Sequence, residues 1–477
     1  MIYMKKYFLL IAFTSLLWTD IKSQSCLPEG IHFTSQESID NFQSNYPNCK
    51  KVEGDVIIEG NNINNLNGLG VLTSIDKMLY IYNTSKLDNL AGLNNLKSIG
   101  ETLRIEGSSK LIDFTGLDSL SSIGNSIIIY DNDNLKNLKG LQSIEYVPEI
   151  LSIHGNSSLS NLEGLNNLRE VDFGFQISAN DSLKTLYGLE SLETVADLII
   201  KNNPRLKTLS GLNGLNIING TLTIINSNSL IKLQGLNNVT SIAGALSLSG
   251  DPSLKNLTGL DKLKEVGGLY LFSNKSLINL KGLDSLKYNN SELIIVDNES
   301  LNELTSLKAL NSTTSMIKIT NNASLKSLIG LDNIYLSGME EIWIFNNPML
   351  STCEAKSICN YLSNLFNPYS VIIQDNAEGC NDTTEVKEKC NANSLDENKP
   401  SCLFTIYPNP ASDYIYVLPK INDKIKEINI LNQLGQLEVH HVDITKKIIT
   451  SNLQSGVYFI SIITESSNFR EKIIISR

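Results

Sequence analysis

The sequence predicts a mainly β chain, a right-handed parallel β-solenoid of period 24 followed by a small C-terminal antiparallel β-sandwich. Three observations carry this. A Gly-Leu pair recurs every 24, occasionally 23, residues from Gly68-Leu69 to Gly330-Leu331, with Ser306-Leu307 filling one gap. Each unit contains a Leu-x-Ile-x stretch, as in Leu103-Arg104-Ile105-Glu106, that alternates as a strand does, with its first and third side chains inward. Beyond residue 402 the period vanishes and short alternating strands follow one another.

The remainder of each unit is too short and too rich in Asn, Ser and Gly to hold a full helix with its turns. Each unit is therefore one coil in which strands and tight corners alternate. A single coil cannot bury its own apolar face, so coils stack, and about thirteen of them at ~4.8 Å spacing reach on the order of 60 Å. The Asn that follows the strand, at Asn83, Asn202, Asn226, Asn321 and Asn346, suits a corner with left-handed dihedrals and can hydrogen-bond along the stack. Several of these lie in Asn-x-Ser/Thr triplets such as Asn83-Thr84-Ser85, which corner chemistry explains without glycosylation. The Gly of each Gly-Leu pair serves a tight turn or a close backbone approach.

Residues 1–23 carry Lys5 and Lys6, then an apolar run from Tyr7 to Trp18, then small and polar residues, the pattern of a secretory signal peptide. That run is too short for a confident membrane span, and no later stretch reaches the roughly 20 apolar residues a span needs. The residues before Cys26, Lys22-Ser23-Gln24-Ser25, lack the pattern of a lipid-attachment site. Outside the cell thiols oxidise, so the cysteines read as staples. They flank the repeat: Cys26 pairs with Cys49 in an N-terminal cap over 24–55, and four more lie in a C-terminal cap over 351–390. Of the three connectivities open to those four, Cys353–Cys380 with Cys359–Cys390 is the one expected; Cys402 is left over. Thr34-Ser35-Gln36-Glu37 reads as a capping box before a short helix with Ile39 and Phe42 inward. Glu354 to Phe366 reads as a second amphipathic helix, followed by a last strand at Val371 to Gln374.

With Leu-x-Ile-x-Asn and Gly-Leu-x-x-Leu-x-x-Ile in place, the region 26 to about 390, with its repeat core at 56–350, resembles the receptor L-domain type of leucine-rich solenoid. The resemblance implies a β-solenoid fold. It transfers no ligand, because such domains bind different partners or none.

Residues 391–401 lack apolar periodicity and read as a linker. Seven short strands follow in 402–477, at Phe404–Tyr407, Tyr414–Leu418, Ile425–Leu431, Gln436–His440, Lys447–Thr450, Val457–Ile463 and Phe469–Ile475, the pattern of a small sandwich. Tyr407-Pro408-Asn409-Pro410, Gly435-Gln436, Leu453 with Gly456-Val457-Tyr458, and the closing Lys472-Ile473-Ile474-Ile475 resemble the type A C-terminal sorting domain of the Bacteroidetes type IX secretion system. That resemblance implies the type IX machinery as partner. It also implies passage across the outer membrane, removal of the tail near the linker, and release or attachment to surface lipopolysaccharide.

The chain carries a net charge of -11; the leader contributes +2 and the tail +1, which leaves -14 on residues 24–401. Such a balance argues against nucleic acid. With 4 His and 7 Cys the chain has little material for a metal or histidine centre, and no cofactor is expected. Phosphate-loop, dinucleotide and nucleophile-elbow motifs are absent from the sequence. A polysaccharide-cleaving solenoid would need paired carboxylates; only Glu59 and Glu106 qualify, two coils and about 9.5 Å apart, with no third acid beside them. Function then falls to the outward strand positions. Two groups stand out as ligand surfaces for a glycan or protein: Tyr80, Tyr82, Arg104, Tyr130 and His154 near the N-terminal end, and Tyr270, Phe272, Trp343 and Phe345, with Ile294 and Val296, near the C-terminal end. The same aromatics are good strand formers. The expectation is a non-enzymatic secreted or surface recognition or adhesion module, with a passive surface spacer as the alternative.

Overall fold

The computed structural model describes residues 25–336, 339–363, 370–393, 404–419, 425–432, 436–441, 447–464 and 468–477. The expected leader, Cys402 and Gly435 lie outside these, as does residues 394–401 of the expected linker. The chain divides into two units, Met1–Ala392 and Asn393–Arg477.

The first unit is a parallel β-solenoid of about 13 turns. One parallel ladder runs without interruption from Ile31–Phe33 to Val371–Gln374. Its register follows the repeat, with Ile81, Ile105 and Ile129 in adjacent rungs. A second ladder of short strands forms where each coil turns back, through Ser74–Ile75, Ser98–Ile99 and Ser122–Ile123, and again through Ile217–Ile218. In several coils the two ladders join into one longer strand, as in Glu170–Ser178 and Ser241–Ser249. Between the ladders lies a single core of Leu, Ile and Val supplied by every coil. The side chains of Leu103, Ile105, Leu111, Leu117, Leu120 and their repeats are fully buried. Coil stacking is thus what completes their removal from water.

Corners and glycines follow from backbone geometry. Asn83, Asn202, Asn226, Asn321 and Asn346 have φ of 52°, 55°, 53°, 60° and 57°, as the corner reading requires. Gly116 has φ 114°, and a Cβ there would meet the Leu90 carbonyl oxygen of the previous coil at 2.1 Å. Turn and close approach are therefore both demanded of it.

The residue after each corner forms a feature the sequence reading did not single out. Asn132, Asn156, Asn180 and Asn203 are completely buried and stack as a ladder of carboxamides. Asn156 donates from Nδ2 to the carbonyls of Ile129 (3.1 Å) and His154 (2.9 Å). Its Oδ1 accepts the Asn132 backbone N–H at 3.1 Å. The same pattern resumes at Asn274, Asn298, Asn322, Asn347 and Asn376. Between the two runs the ladder carries Ser227 and Asp251 instead. The Ser227 N–H reaches Asp251 Oδ1 at 2.8 Å, while Asp251 Oδ2 and Ser227 Oγ have no hydrogen-bond partner.

Both ends of the stack are covered. At the start, helices Gln36–Asp40 and Phe42–Asn45 bury Ile39 and Phe42, and Cys26 is bonded to Cys49. The capping box is shifted by one residue from the expected one: Ser35 is the N-cap and Ser38 returns the bond, because the helix begins at Gln36. At the other end helix Lys356–Ser363 and strand Val371–Gln374 close the core; residues 364–366 of the expected helix lie outside the described residues. Disulfides join Cys353 to Cys380 and Cys359 to Cys390. A further helix, Thr383–Asn393, runs from this cap into the segment read as linker.

The second unit holds a three-stranded antiparallel sheet (404–407, 414–419, 447–449) and a four-stranded one (437–441, 425–431, 456–464, 468–475). Ile406, Ile415 and Ile448 from the first share one core with Ile430, Ile460 and Ile473 from the second, as a sandwich requires. Strand limits agree with the sequence reading to within one residue.

Candidate ligand-binding surface

The outward side chains of the long ladder stand on adjacent rungs about 4.8 Å apart, so residues one coil apart in sequence become neighbours. At the N-terminal end this brings Tyr80, Tyr82, Arg104 and Tyr130 together. The Tyr80 and Tyr82 rings stack with centroids 4.3 Å apart. The Arg104 guanidinium lies 4.9 Å from the Tyr80 ring centre and 6.0 Å from that of Tyr130, a cation–π arrangement. Arg104 also donates to Glu106 Oε2 from Nε (2.9 Å) and Nη2 (2.6 Å). The Tyr80 hydroxyl donates to the same carboxylate at 3.0 Å, and the Tyr82 hydroxyl donates to Glu59.

Electrostatics follow from these contacts. Glu106 holds the Arg104 pKa above its usual value. Partial burial, then Glu106, raises that of the Tyr80 phenol. The Tyr82 phenol is pushed up to about 12, chiefly by its bond to Glu59. The two carboxylates considered as a catalytic pair are thus each engaged by a tyrosine. His154 extends the patch, its ring 5.4 Å from Tyr130 in an edge-on contact and its Nδ1 2.9 Å from Ser178 Oγ. Beside the patch, at the corner, Glu59, Gly60, Asn61, Asn83, Ser85 and Gly107 line an open groove of about 380 Å³.

The C-terminal group is not brought together in the same way. Tyr270 and Phe272 stack with centroids 6.4 Å apart, and the Tyr270 hydroxyl donates to Glu292 at 3.0 Å. Trp343 and Phe345 lie three rungs further on, about 14 Å away at the strand spacing. The rungs between carry Ile294 with Val296 and Lys318 with Thr320. Lys318 sits 5.1 Å from the Trp343 ring. Register separates what composition groups as one patch. Sequence reasoning did not foresee the part played by Ser152, whose Oγ donates to the Tyr130 hydroxyl at 3.2 Å; only the register reveals it.

In the tail, Asn409 fastens the start of the sandwich to its last strand. Its Nδ2 donates to the Lys472 carbonyl (3.1 Å) and its Oδ1 accepts the Ile474 N–H (2.7 Å). Pro408 and Pro410 both follow cis peptide bonds. The Tyr407 ring lies 5.3 Å from that of Tyr416. Gly456 opens the central strand, and Tyr458 is buried there with its hydroxyl bonded to the Gln454 carbonyl. Asn409 thus joins the start of the motif to the edge strand that carries Lys472, whereas Gln436 leads into the strand at the opposite edge of the four-stranded sheet.

Among the described residues no helix is long and apolar enough to cross a membrane, and no group of three His, Cys, Asp or Glu side chains is placed to hold a metal. Comparison with known proteins agrees with both resemblances. Residues 405–476 match the family described as a secretion system C-terminal sorting domain, and residues 48–139 match that described as a receptor L domain. Among solved structures the chain is similar to a leucine-rich repeat protein from Bacteroides ovatus, at 14% identity over 58% of this chain and 80% of that one, with a TM-score of 0.15. No curated protein matches it.

Proposed function

We propose that this protein is an exported recognition or adhesion module. Its sorting domain delivers it through the type IX machinery to the cell surface or the medium, and the N-terminal end of the long ladder meets its ligand, a glycan or a protein. The observation that carries the binding half is the Tyr80–Tyr82–Arg104–Tyr130 cluster, whose rings and guanidinium are held in fixed positions by Glu59, Glu106 and Ser152. Preorganised aromatic and Arg side chains lose little entropy on binding and dominate most interfaces. The export half is supported by the sorting-domain match and by the leader-like sequence of residues 1–23. A spacer is the second reading, and one fact favours it: the polar ends of this cluster are already bonded within the protein.

Glycan-array and surface-protein binding of the chain with Tyr80→Ala plus Arg104→Ala tests the first half. Loss of a ligand bound by the unaltered chain supports recognition, whereas binding of nothing across both panels supports the spacer. Trp343→Ala plus Tyr270→Ala examines the other end in the same assay. Mass spectrometry of washed cells and culture fluid tests the second half: it should find the protein outside the cell with residues 1–23 and the tail removed, and intact protein held inside would refute export. Turnover of a polysaccharide that is lost in Glu106→Gln would overturn both readings.

A further inference from the structure

Over four of its coils, one flank of this acidic solenoid is basic. The side of the coil that follows the corner spans residues 204–210, 228–234, 252–258 and 275–281 in four consecutive coils. These segments hold Arg205, Lys207, Lys232, Lys255, Lys275 and Lys281 and not one acidic residue, although residues 24–401 as a whole carry -14. Backbone hydrogen bonds place the segments side by side: Ile231 N–H to the Lys207 carbonyl (3.2 Å), Lys255 N–H to that of Ile231 (3.3 Å), and Ile278 N–H to that of Lys255 (2.9 Å). The result is a column in which lysine and isoleucine alternate. All six cations are exposed. Lys275 meets Glu299 at 3.3 Å, and among the described residues the other five make no ion pair.

We infer that this flank binds an acidic polysaccharide laid along the solenoid axis. These five unpaired cations, with Lys275 beside them, gathered over about 14 Å of stack repel one another and attract a polyanion. The chemistry of the face decides which polyanion. Its four segments contain no aromatic residue on which bases could stack, which disfavours single-stranded nucleic acid. Without Trp or Tyr, and with a single Arg, it also lacks the anchors of a protein interface. Lysines act as point charges that need no fixed geometry, and the amide and hydroxyl groups between them, such as Thr208, Asn256 and Asn279, suit sugar hydroxyls. The choice of a sugar polymer rests on the proposed export. The surface itself is distinct from the aromatic cluster on the ladder.

The test uses the full chain with polygalacturonate, neutral dextran and oligothymidylate as probes. Polygalacturonate should bind and be released as salt rises from about 0.05 M to about 0.5 M. Lys207→Gln, Lys232→Gln and Lys255→Gln together should weaken it about tenfold or more, while Lys51→Gln, Lys77→Gln and Lys97→Gln, an equal charge change elsewhere, should leave it within about twofold. Tyr80→Ala with Arg104→Ala should not alter it, so this inference and the proposed ligand surface fail separately. Absence of binding, equal losses in the two triple variants, dependence on Tyr80 and Arg104, or equal retention of dextran or oligothymidylate would each overturn the inference.

Discussion

Asn132 to Asn203 and Ser227 to Asp251 occupy the same column of the solenoid interior, yet only the first is saturated with hydrogen bonds. In the unbroken run each carboxamide has both a donor and an acceptor arm, and both are used. At Asp251 one oxygen accepts the Ser227 N–H, as an amide oxygen would, and the other takes the place of the amide nitrogen without anything donating to it. The difference shows what Asn supplies that Asp cannot: a donor that matches the carbonyls of the coil below at any pH. A buried carboxylate in that place is unfavourable, so burial pushes the Asp251 carboxyl up to about 7.

Removing a rung from the saturated run is the strongest way to break the contrast. Asn298→Ala strands the Asn274 N–H and the carbonyls of Leu271 and Val296 away from water. It should cost about 3 kcal/mol or more, read as a lower guanidinium midpoint. Asn298→Asp imports the defect instead; it should cost less than Asn298→Ala at pH 5 and more at pH 8, where the carboxylate ionises. Asp251→Asn runs the comparison in reverse. The folded protein holds the Asp251 proton to about pH 7, while an unfolded Asp loses it near 3.9, so stability falls as pH rises from about 4 to about 7. Asp251→Asn should remove that decline and leave the variant more stable than the parent at pH 8 by about 1–3 kcal/mol. The smallest effect is expected from adding Ser227→Asn to Asp251→Asn, a further gain of about 1 kcal/mol or less. A fall in stability there would show that the site has no room for the larger side chain.

Local features were legible in the sequence because local geometry decides them. The positive φ at Asn83 answers to a single corner, and Gly116 to a turn as well as to the Leu90 carbonyl of the previous coil; both recur often enough to be seen. The tail strands were legible for the same reason, since alternation alone marks them. The Asn that comes after the corner residue was not read as a ladder, because its partners lie 24 and 27 residues away and appear only once coils are stacked. Likewise the outward positions could be named, but not the bond from Tyr80 to Glu106, one coil and two residues away. Helix Thr383–Asn393 escaped notice because Val386 and Cys390 are its only strongly apolar residues, and its Cys390 is held by the bond to Cys359 rather than by an apolar stripe.

The parallel ladder has a mechanical consequence. Its interstrand bonds point along the stack, so tension between the two ends loads them one rung at a time rather than in concerted shear. A tether built this way yields progressively, paying out a fixed length of chain per rung. The Cys26–Cys49 and Cys353–Cys380 loops shorten what the terminal steps can release. Under drag, such a module lengthens in instalments before it lets go.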